Sequence, residues 1–484
     1  MHEDLRRRAL ESGKTLSNKA KSKQSSRGSS RGNSAPNSRS ASRIQSRDGS
    51  DDEDFDKGNL SDDTTQSINS IDALLETDDI NEQTSDAARQ ELNDVISELL
   101  DRKGSSHKSR EDALTTYVKC LTSHYLAEVL YGRVQDLLVA FGRSIKAETS
   151  EKETTLALRA MALTAITFAD GSIYDTVAPS LKRTISDSRS TSVKAAAIYT
   201  IGICVSFGGA GDEEILDVMT FFLEIASSDG AFIDADDSAE VVTAALNTYG
   251  FLATQVEDIE QESEDAIATF LDQLDADDIK VQVSAGENIA LLYEKCYTPR
   301  EEDDESSSSS DEEIIPEDEL PHDRPHVRSY LVKRYNPYHN THEVIDKVTA
   351  LASLSTKSMN RRDKKALHQS FASIALTVQD PRLGLQSNNA SKMVVRVHRE
   401  GEMRVDKWWK LMRLNAIRRL LGGGFVNHYF EGNKQVLDAL PMIMRGIGSS
   451  GMPSPRKMAG HNHKAQKGKY RDVRRFVSGD LTAS

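Results

Sequence analysis

Four segments of the chain repeat one spacing of apolar and small residues, and this repeat most constrains the fold. In each copy, Ala follows an apolar residue by four positions, and apolar or small residues follow four and three positions later, so one helix face is apolar. The copies begin at Leu158, Val193, Val241 and Val281, and these positions are 35, 48 and 40 residues apart. This period predicts stacked helix pairs of the HEAT or armadillo kind, and the alternative is unrelated amphipathic helices that share a common spacing.

Further helical stripes surround these copies, and alternation of period two is nearly absent, which predicts an all-α protein. We expect a HEAT/armadillo-like helical-repeat solenoid followed by a smaller basic helical C-terminal domain and a basic tail. The predicted boundaries are a disordered N-terminal region at 1–80, the repeats at 85–298, an acidic Ser-rich linker at 299–337, the C-terminal domain at 338–446 and the tail at 447–484. We expect the small residues Ala162, Ala197, Ala245 and Ala285 at helix–helix contacts.

Charge is segregated along the chain, although the whole chain has a formal net charge of -15. Residues 1–47 carry 12 Lys and Arg against 3 Asp and Glu, residues 300–324 carry 2 against 12, and residues 325–484 carry 29 against 11. The first two segments have too little apolar surface to offset the entropy of ordering, so we expect both to be disordered. Ser50 and Ser61 each precede an Asp pair and resemble acid-directed phosphorylation sites.

Cysteine use and hydropathy bear on the cellular compartment. The three cysteines, Cys120, Cys204 and Cys296, lie within apolar helical patterns, which predicts core residues in a reducing compartment. No run of eighteen apolar residues occurs, and the first residues lack the apolar core of a secretory signal. We therefore expect a protein of the cytoplasm, the nucleus or both, with no membrane partner.

No catalytic motif is found in the sequence. Gly422–Gly424 lacks the Gly-Lys-Ser/Thr of a phosphate loop and follows a helical pattern, so we interpret it as a helix stop. Four histidines, at 322, 326, 339 and 342, have spacings that could hold a metal, but no cysteine accompanies them and prolines interrupt the segment. We expect no enzyme activity, no metal, no cofactor and no small-molecule substrate.

Basic residues of the last third point to an anionic partner. A helix predicted from Val405 to Leu421 places four cations on the face opposite its packed side: Arg404, Lys407, Lys410 and Arg418. A second basic group opens the preceding helical pattern: Arg361, Arg362, Lys364 and Lys365. The alternative for the first group is an ordinary solvated face.

The tail is the most distinctive basic element. From Arg445 to Arg475, nine Lys and Arg accompany Asp472 alone, with aromatic residues between them. Cations with interleaved aromatics suit phosphate contact and base stacking, and the alternative is a nuclear-import or solubility tail. The candidate RNA-binding residues of the tail are Lys457, Lys464, Lys467, Lys469, Tyr470, Arg471, Arg474, Arg475 and Phe476.

Several separated segments resemble the interferon-related developmental regulator family. They are residues 273–294, the basic helix 361–380, the spaced residues Trp408, Lys410, Gly422–Gly424, His428 and Asn433, and the basic end at 464–475. The resemblance runs from about residue 60 to the end of the chain. The acidic Ser insert at 301–319 and the tryptophan pair depart from the family pattern.

The resemblance implies two functions. One is association with ribosomes that are not translating, with the basic C-terminal part in the space of tRNA and mRNA, so that translation is silenced. The partners would then be ribosomal RNA and ribosomal proteins. The other is transcriptional co-regulation through protein partners. We favour ribosome binding, because residues 325–484 supply a basic extension that can reach RNA.

Overall fold

The computed structural model describes residues 82–101, 105–299, 331–353, 361–385, 393–398 and 401–445. The predicted disordered region at 1–80, most of the acidic linker and the tail lie outside these residues. The first part of the described chain is helical throughout. Its helices are α1 (Glu82–Leu100), α2 (His107–Ser123), α3 (Ala127–Leu130), α4 (Val134–Ala147), α5 (Glu151–Thr167), α6 (Ile173–Asp187), α7 (Thr191–Phe207), α8 (Asp212–Ser227), α9 (Ala239–Ala253), α10 (Glu260–Gln273) and α11 (Ile279–Lys295). Among the described residues, no helix is long and apolar enough to span a membrane.

The helices form two rows, as the repeat predicted. The B row consists of α2, α5, α7, α9 and α11, and each of these helices packs against the next. The A row consists of α1, α4, α6, α8 and α10, and each of these helices packs against the B helix that follows it in the chain. The all-α helical-repeat fold is therefore confirmed.

The four repeated stripes lie on α5, α7, α9 and α11, so all of them belong to the B row. The small residues at the second position of each stripe are at most 2% exposed, which shows that neighbouring helices approach closely at these positions. They are Ala162, Ala197, Ala245 and Ala285. The stripe on α5 ends one turn early, because the helix ends at Thr167 and Ala169 is exposed beyond it.

The stack of helix pairs continues beyond residue 298. Strand β1 (Tyr297–Pro299) pairs antiparallel with β2 (Leu331–Lys333), with Tyr297 opposite Lys333, so the two ends of the acidic segment lie side by side. After β2 follow α12 (Thr341–Ser353) and α13 (Arg361–Gln379), which pack against each other. Helix α13 also packs against α11, so it extends the B row and the acidic segment is an insertion between two helix pairs.

The rest of the described chain folds back over the B row. Strands β3 (Met393–His398), β4 (Gly401–Val405) and β5 (Ile443–Arg445) form an antiparallel sheet in the order β3-β4-β5. Between β4 and β5 lie α14 (Trp408–Leu421), α15 (Phe425–Phe430) and α16 (Lys434–Ala439). We call residues 401–445 the docked segment, because its helices pack on α2, α5, α9 and α11.

The predicted helix start at Val405 is wrong. Val405 ends β4, where it pairs with Met393, and the helix begins three residues later at Trp408. Gly422 follows the end of α14 with a φ of 57°, a left-handed conformation that glycine adopts without steric cost, so the predicted glycine stop is confirmed.

Candidate functional site: the docked C-terminal segment

The docked segment is fixed at the N-terminus of α14 by a carboxylate from the solenoid. The Glu294 carboxylate on α11 accepts hydrogen bonds from the backbone N–H groups of Trp408 at 3.1 Å and Trp409 at 3.4 Å. These N–H groups have no partner inside their own helix, and the helix dipole favours negative charge there. Burial raises the pKa of Glu294 to about 7. The nearby Lys407 and the two N–H groups lower the pKa and so partly offset the effect of burial. Glu294 therefore caps a helix that begins 114 residues later in the chain.

Polar contacts then follow α14 along the B row. The indole N–H of Trp408 donates to the Thr377 hydroxyl on α13 at 2.8 Å. The Arg413 guanidinium donates to the hydroxyl and the carbonyl of Thr254, directly after α9, at 2.9 and 2.6 Å. Arg159 on α5 donates to the Leu420 carbonyl at 2.8 Å, in the last turn of α14. A cation at that position complements the helix dipole, so both ends of α14 are held by charged side chains of the solenoid.

A buried hydrogen-bond network fixes the turn between α15 and α16. His428 is fully buried, its Nε2 lies 2.8 Å from the Leu121 carbonyl on α2, and its Nδ1 lies 3.0 Å from the Asn433 amide nitrogen. Because that amide donates to Nδ1, Nε2 carries the proton and donates to Leu121. Asn433 also donates to the Ile166 carbonyl on α5 at 3.0 Å. Burial lowers the pKa of His428, which favours this neutral form.

The glycine triplet allows the closest approach in this region. A Cβ added at Gly424 would lie 1.8 Å from the Thr122 carbonyl oxygen at the end of α2. Next to it, Asn427 donates to the Ser123 carbonyl at 2.8 Å, and the Glu431 carboxylate accepts from the Tyr125 N–H at 2.6 Å. The spaced residues Trp408, Gly424, His428 and Asn433 therefore hold the docked segment to the solenoid.

The cations predicted on an outer helix face have three different environments. Arg404 lies on β4, so it does not share a helix face with the others, and Lys407 precedes the first residue of α14. Lys410 is paired with Asp406 at 2.6 Å and lies 5.5 Å from the Trp409 ring centroid. Arg404, Lys407 and Lys410 are each half-buried.

Arg418 contradicts the predicted outer face, because it is only 5% exposed. Its guanidinium lies over the Phe425 ring, 5.8 Å from the centroid, and its three nitrogens have no hydrogen-bond partner among the described residues. Burial lowers its pKa. The prediction failed because α15 turns back after the glycine triplet and covers this side of α14.

The other predicted site residues are placed only in part. Arg361, Arg362, Lys364 and Lys365 lie in the first turns of α13, and their side chains are outside the described residues. The predicted residues of the tail, 457–476, also lie outside them. The predicted tail begins two residues after the end of β5, which is held in the sheet by β4. Its starting point is therefore fixed relative to the B row.

Sequence reasoning missed Glu294 on α11, Arg159 on α5 and Arg413 on α14 itself, whose hydrogen bonds hold α14 at three places along the B row. Glu294 carried a weak signal, since it follows a long apolar stripe on α11. Arg159 carried none, because its partner lies 261 residues away. Within the part of the chain that the structure describes, no group of three or more His, Cys, Asp or Glu is placed to hold a metal ion.

Comparison with known proteins identifies a family. Residues 58–379 match the model of the interferon-related developmental regulator family, which is not a known enzyme family. The match spans the whole stack and ends at the last residue of α13. The chain is also 25% identical over 342 residues, 70% of this chain and 72% of the relative, to the uncharacterized protein C20F10.03 of Schizosaccharomyces pombe.

Proposed function

The chain belongs to the interferon-related developmental regulator family, and from this premise we propose that it binds ribosomes that are not translating and silences them. In this proposal the basic C-terminal part occupies the space that tRNA and mRNA would fill. The partners are ribosomal RNA and ribosomal proteins, which places this activity in the cytoplasm.

The fixed starting point of the basic tail carries the proposal. Arg445 ends β5, and nine Lys and Arg against one carboxylate follow from there to Arg475. A cationic chain of this kind loses less conformational entropy on binding a particular RNA site when its first residue is held on a rigid body, because fewer arrangements are accessible before binding. The docked segment supplies that rigid body.

Three of the four cations of α14 support the same assignment by their environment, and the fourth, Arg419, is exposed and lies over the Tyr199 ring. Arg413 is bonded to Thr254, Lys410 to Asp406, and Arg418 is buried. The first two side chains are occupied by contacts within the protein and the third is buried, so all three offer little charge to an RNA phosphate. We therefore assign most of the RNA contact to the tail, and a smaller part to Arg404 and Lys407 at the edge of the docked segment.

Sedimentation through a sucrose gradient tests the proposal. The intact protein should migrate with ribosomes, and RNase treatment should release it. Affinity should fall with salt by roughly 0.7 log units per phosphate contact for each decade of concentration, if single-strand behaviour applies. A transcriptional co-regulator that acts through protein partners would remain at the top of the gradient.

A charge-reversal variant tests whether the cations of the tail are needed for silencing. Replacing Lys467, Lys469, Arg471, Arg474 and Arg475 by Glu should abolish silencing in a cell-free translation reaction without changing thermal unfolding. A matched control replaces the same five residues by Gln, which removes charge without reversing it and should have an intermediate effect. If the Glu variant silences translation as well as the parent, the proposed mechanism is wrong.

A further inference from the structure

The outer surface of the fourth and fifth helix pairs combines one-sided charge with exposed aromatic rings. From Ala195 to Ile279 the chain contains 20 Asp and Glu and no Lys or Arg. This stretch includes the A helices α8 and α10, which pack against each other. The B helices α9 and α11 lie between these A helices and α14, so the acidic surface is separated from the docked segment by the B row.

Two phenylalanines form an aromatic pair on this surface. Phe232 is 52% exposed, and its ring meets the partly buried ring of Phe221 edge-on at a centroid distance of 5.8 Å. On α8, the residues at helical spacing around Phe221 are Glu214, Asp217 and Glu224, and all three are exposed. The aromatic pair is therefore an apolar spot with carboxylates beside it.

The turn that carries Phe232 is held rigidly. The buried Lys194 ammonium donates to the Ile233 carbonyl at 2.6 Å and to two carbonyls at the end of α6 at 2.9 and 2.7 Å. The Phe232 N–H donates to the Ser228 hydroxyl at 3.1 Å, and the Gln273 amide donates to the Asp229 carboxylate at 2.6 Å. Phe232 is thus exposed on a fixed support, with little conformational entropy left to lose when a partner covers it.

We propose that the aromatic pair and its surrounding carboxylates bind a Lys- and Arg-rich segment of another protein, with one apolar side chain of that segment packed against Phe221 and Phe232. Charge complementarity selects the partner, because no cation of residues 195–279 competes with it. The exposed ring supplies the anchor that charge alone lacks. This inference does not rest on ribosome binding.

Fluorescence anisotropy with the full chain tests the inference. The probe is a labelled helical peptide of about 20 residues, rich in Lys and Arg, with two Leu four positions apart. The Phe232→Ser variant should bind it at least about tenfold more weakly than the parent. The double variant Asp217→Asn, Glu224→Gln should also bind more weakly and should lose part of the salt dependence. Equal affinity of the parent and Phe232→Ser would overturn the inference.

Two matched controls separate the anchor from general attraction between opposite charges. The Tyr131→Ser variant removes an aromatic ring that is 78% exposed but lies outside the acidic stretch, and it should bind as the parent does. A peptide with both Leu replaced by Ser keeps its charge and should bind the parent about tenfold more weakly. Equal affinity of the two peptides would reduce the site to charge alone and refute it.

The basic N-terminal region of the same chain is the competing occupant. Residues 1–47 carry 12 Lys and Arg, so a variant that lacks residues 1–57 tells the two occupants apart. Equal binding by the full chain and the truncated chain supports a partner protein. If the truncated chain binds the probe and the full chain does not, the N-terminal region occupies the surface and the proposal of a partner protein is wrong.

Discussion

Replacing Gly250 by Ala tests whether α14 is packed on the B row. Gly250 lies on α9, and a Cβ there would be 2.2 Å from the Asn288 Oδ1 on α11 and 2.6 Å from the Met412 Sδ on α14. Asn288 is 1% exposed and donates to the Leu246 carbonyl at 2.8 Å, so it cannot move without breaking that bond. The substitution therefore disturbs the solenoid and the docked segment together.

The expected change in stability is the sum of two destabilising contributions and one stabilising contribution. Overpacking of a closely packed core costs about 1–3 kcal/mol. Loss of the Asn288 hydrogen bond adds about 1 kcal/mol. Alanine restores about 1 kcal/mol of helix propensity relative to glycine. We expect Gly250→Ala to destabilise the protein by about 2 kcal/mol.

Gly142→Ala is the matched control, because it makes the same substitution inside α4, where no atom lies within 4 Å of the added Cβ. There only the propensity remains, so this variant should be more stable by up to about 1 kcal/mol. Circular dichroism reports unfolding of the helices. Tryptophan fluorescence reports on α14 alone, because both tryptophans of the chain, Trp408 and Trp409, lie in its first turn.

Gly250→Ala should lower the melting temperature by a few degrees in both signals, and Gly142→Ala should raise it. The conversion is about 2–4 °C per kcal/mol for a domain of 150–250 residues and less for a larger one. Shifts of the same sign in the two variants would refute the packing argument. An unchanged tryptophan transition in Gly250→Ala would show that α14 is not seated on α9.

Three further substitutions test separate features. Arg418→Met should leave the melting temperature unchanged or raise it, because the buried guanidinium has no hydrogen-bond partner in the described part of the chain and is replaced by an apolar side chain of similar length. A clear fall in a thermal scan would contradict this. Ala285→Phe should destabilise the protein by about 1–3 kcal/mol in the same scan, and unchanged unfolding would count against burial there. Burial raises the Glu294 pKa from 4.5 to about 7, so between these pH values the folded protein keeps a proton that the unfolded chain has lost. The contribution of Glu294 to stability therefore falls as pH rises through this range. Glu294→Gln should flatten that part of the profile of melting temperature against pH.

Local periodicity predicted the B row because its signal lies within single helices. The spacing around Ala197 or Ala245 needs no knowledge of the partner helix, since a helix buried on several sides must repeat small and apolar residues at 3.6 positions. The stop at Gly422 was predictable for the same reason, because a glycine after an apolar run ends a helix locally.

The docked segment was predicted less well, because its structure depends on contacts across long sequence separations. Arg404 and Val405 fit a helical spacing, yet pairing with β3 makes them a strand. Arg418 fits an outer face, yet Phe425 folds back over it. The local sequence around Glu294 is that of an ordinary carboxylate on a helix, because its partner Trp408 lies 114 residues later in the chain. Each error reflects a partner that a local window does not contain.

The same long-range contacts connect the stability of the solenoid to the proposed function. Glu294, Arg159 and Leu121 belong to helices of the B row, so the docked segment can be held only when these helices are already stacked. The position of the tail then depends on the solenoid, although the charge of the tail does not. Loosening the docked segment through His428 should therefore weaken silencing while leaving nonspecific, salt-dependent RNA binding intact. Removing residues 456–484 should instead abolish silencing, strongly weaken RNA binding and leave the solenoid folded. That difference separates a tail that acts from a fixed position from one that acts through charge alone.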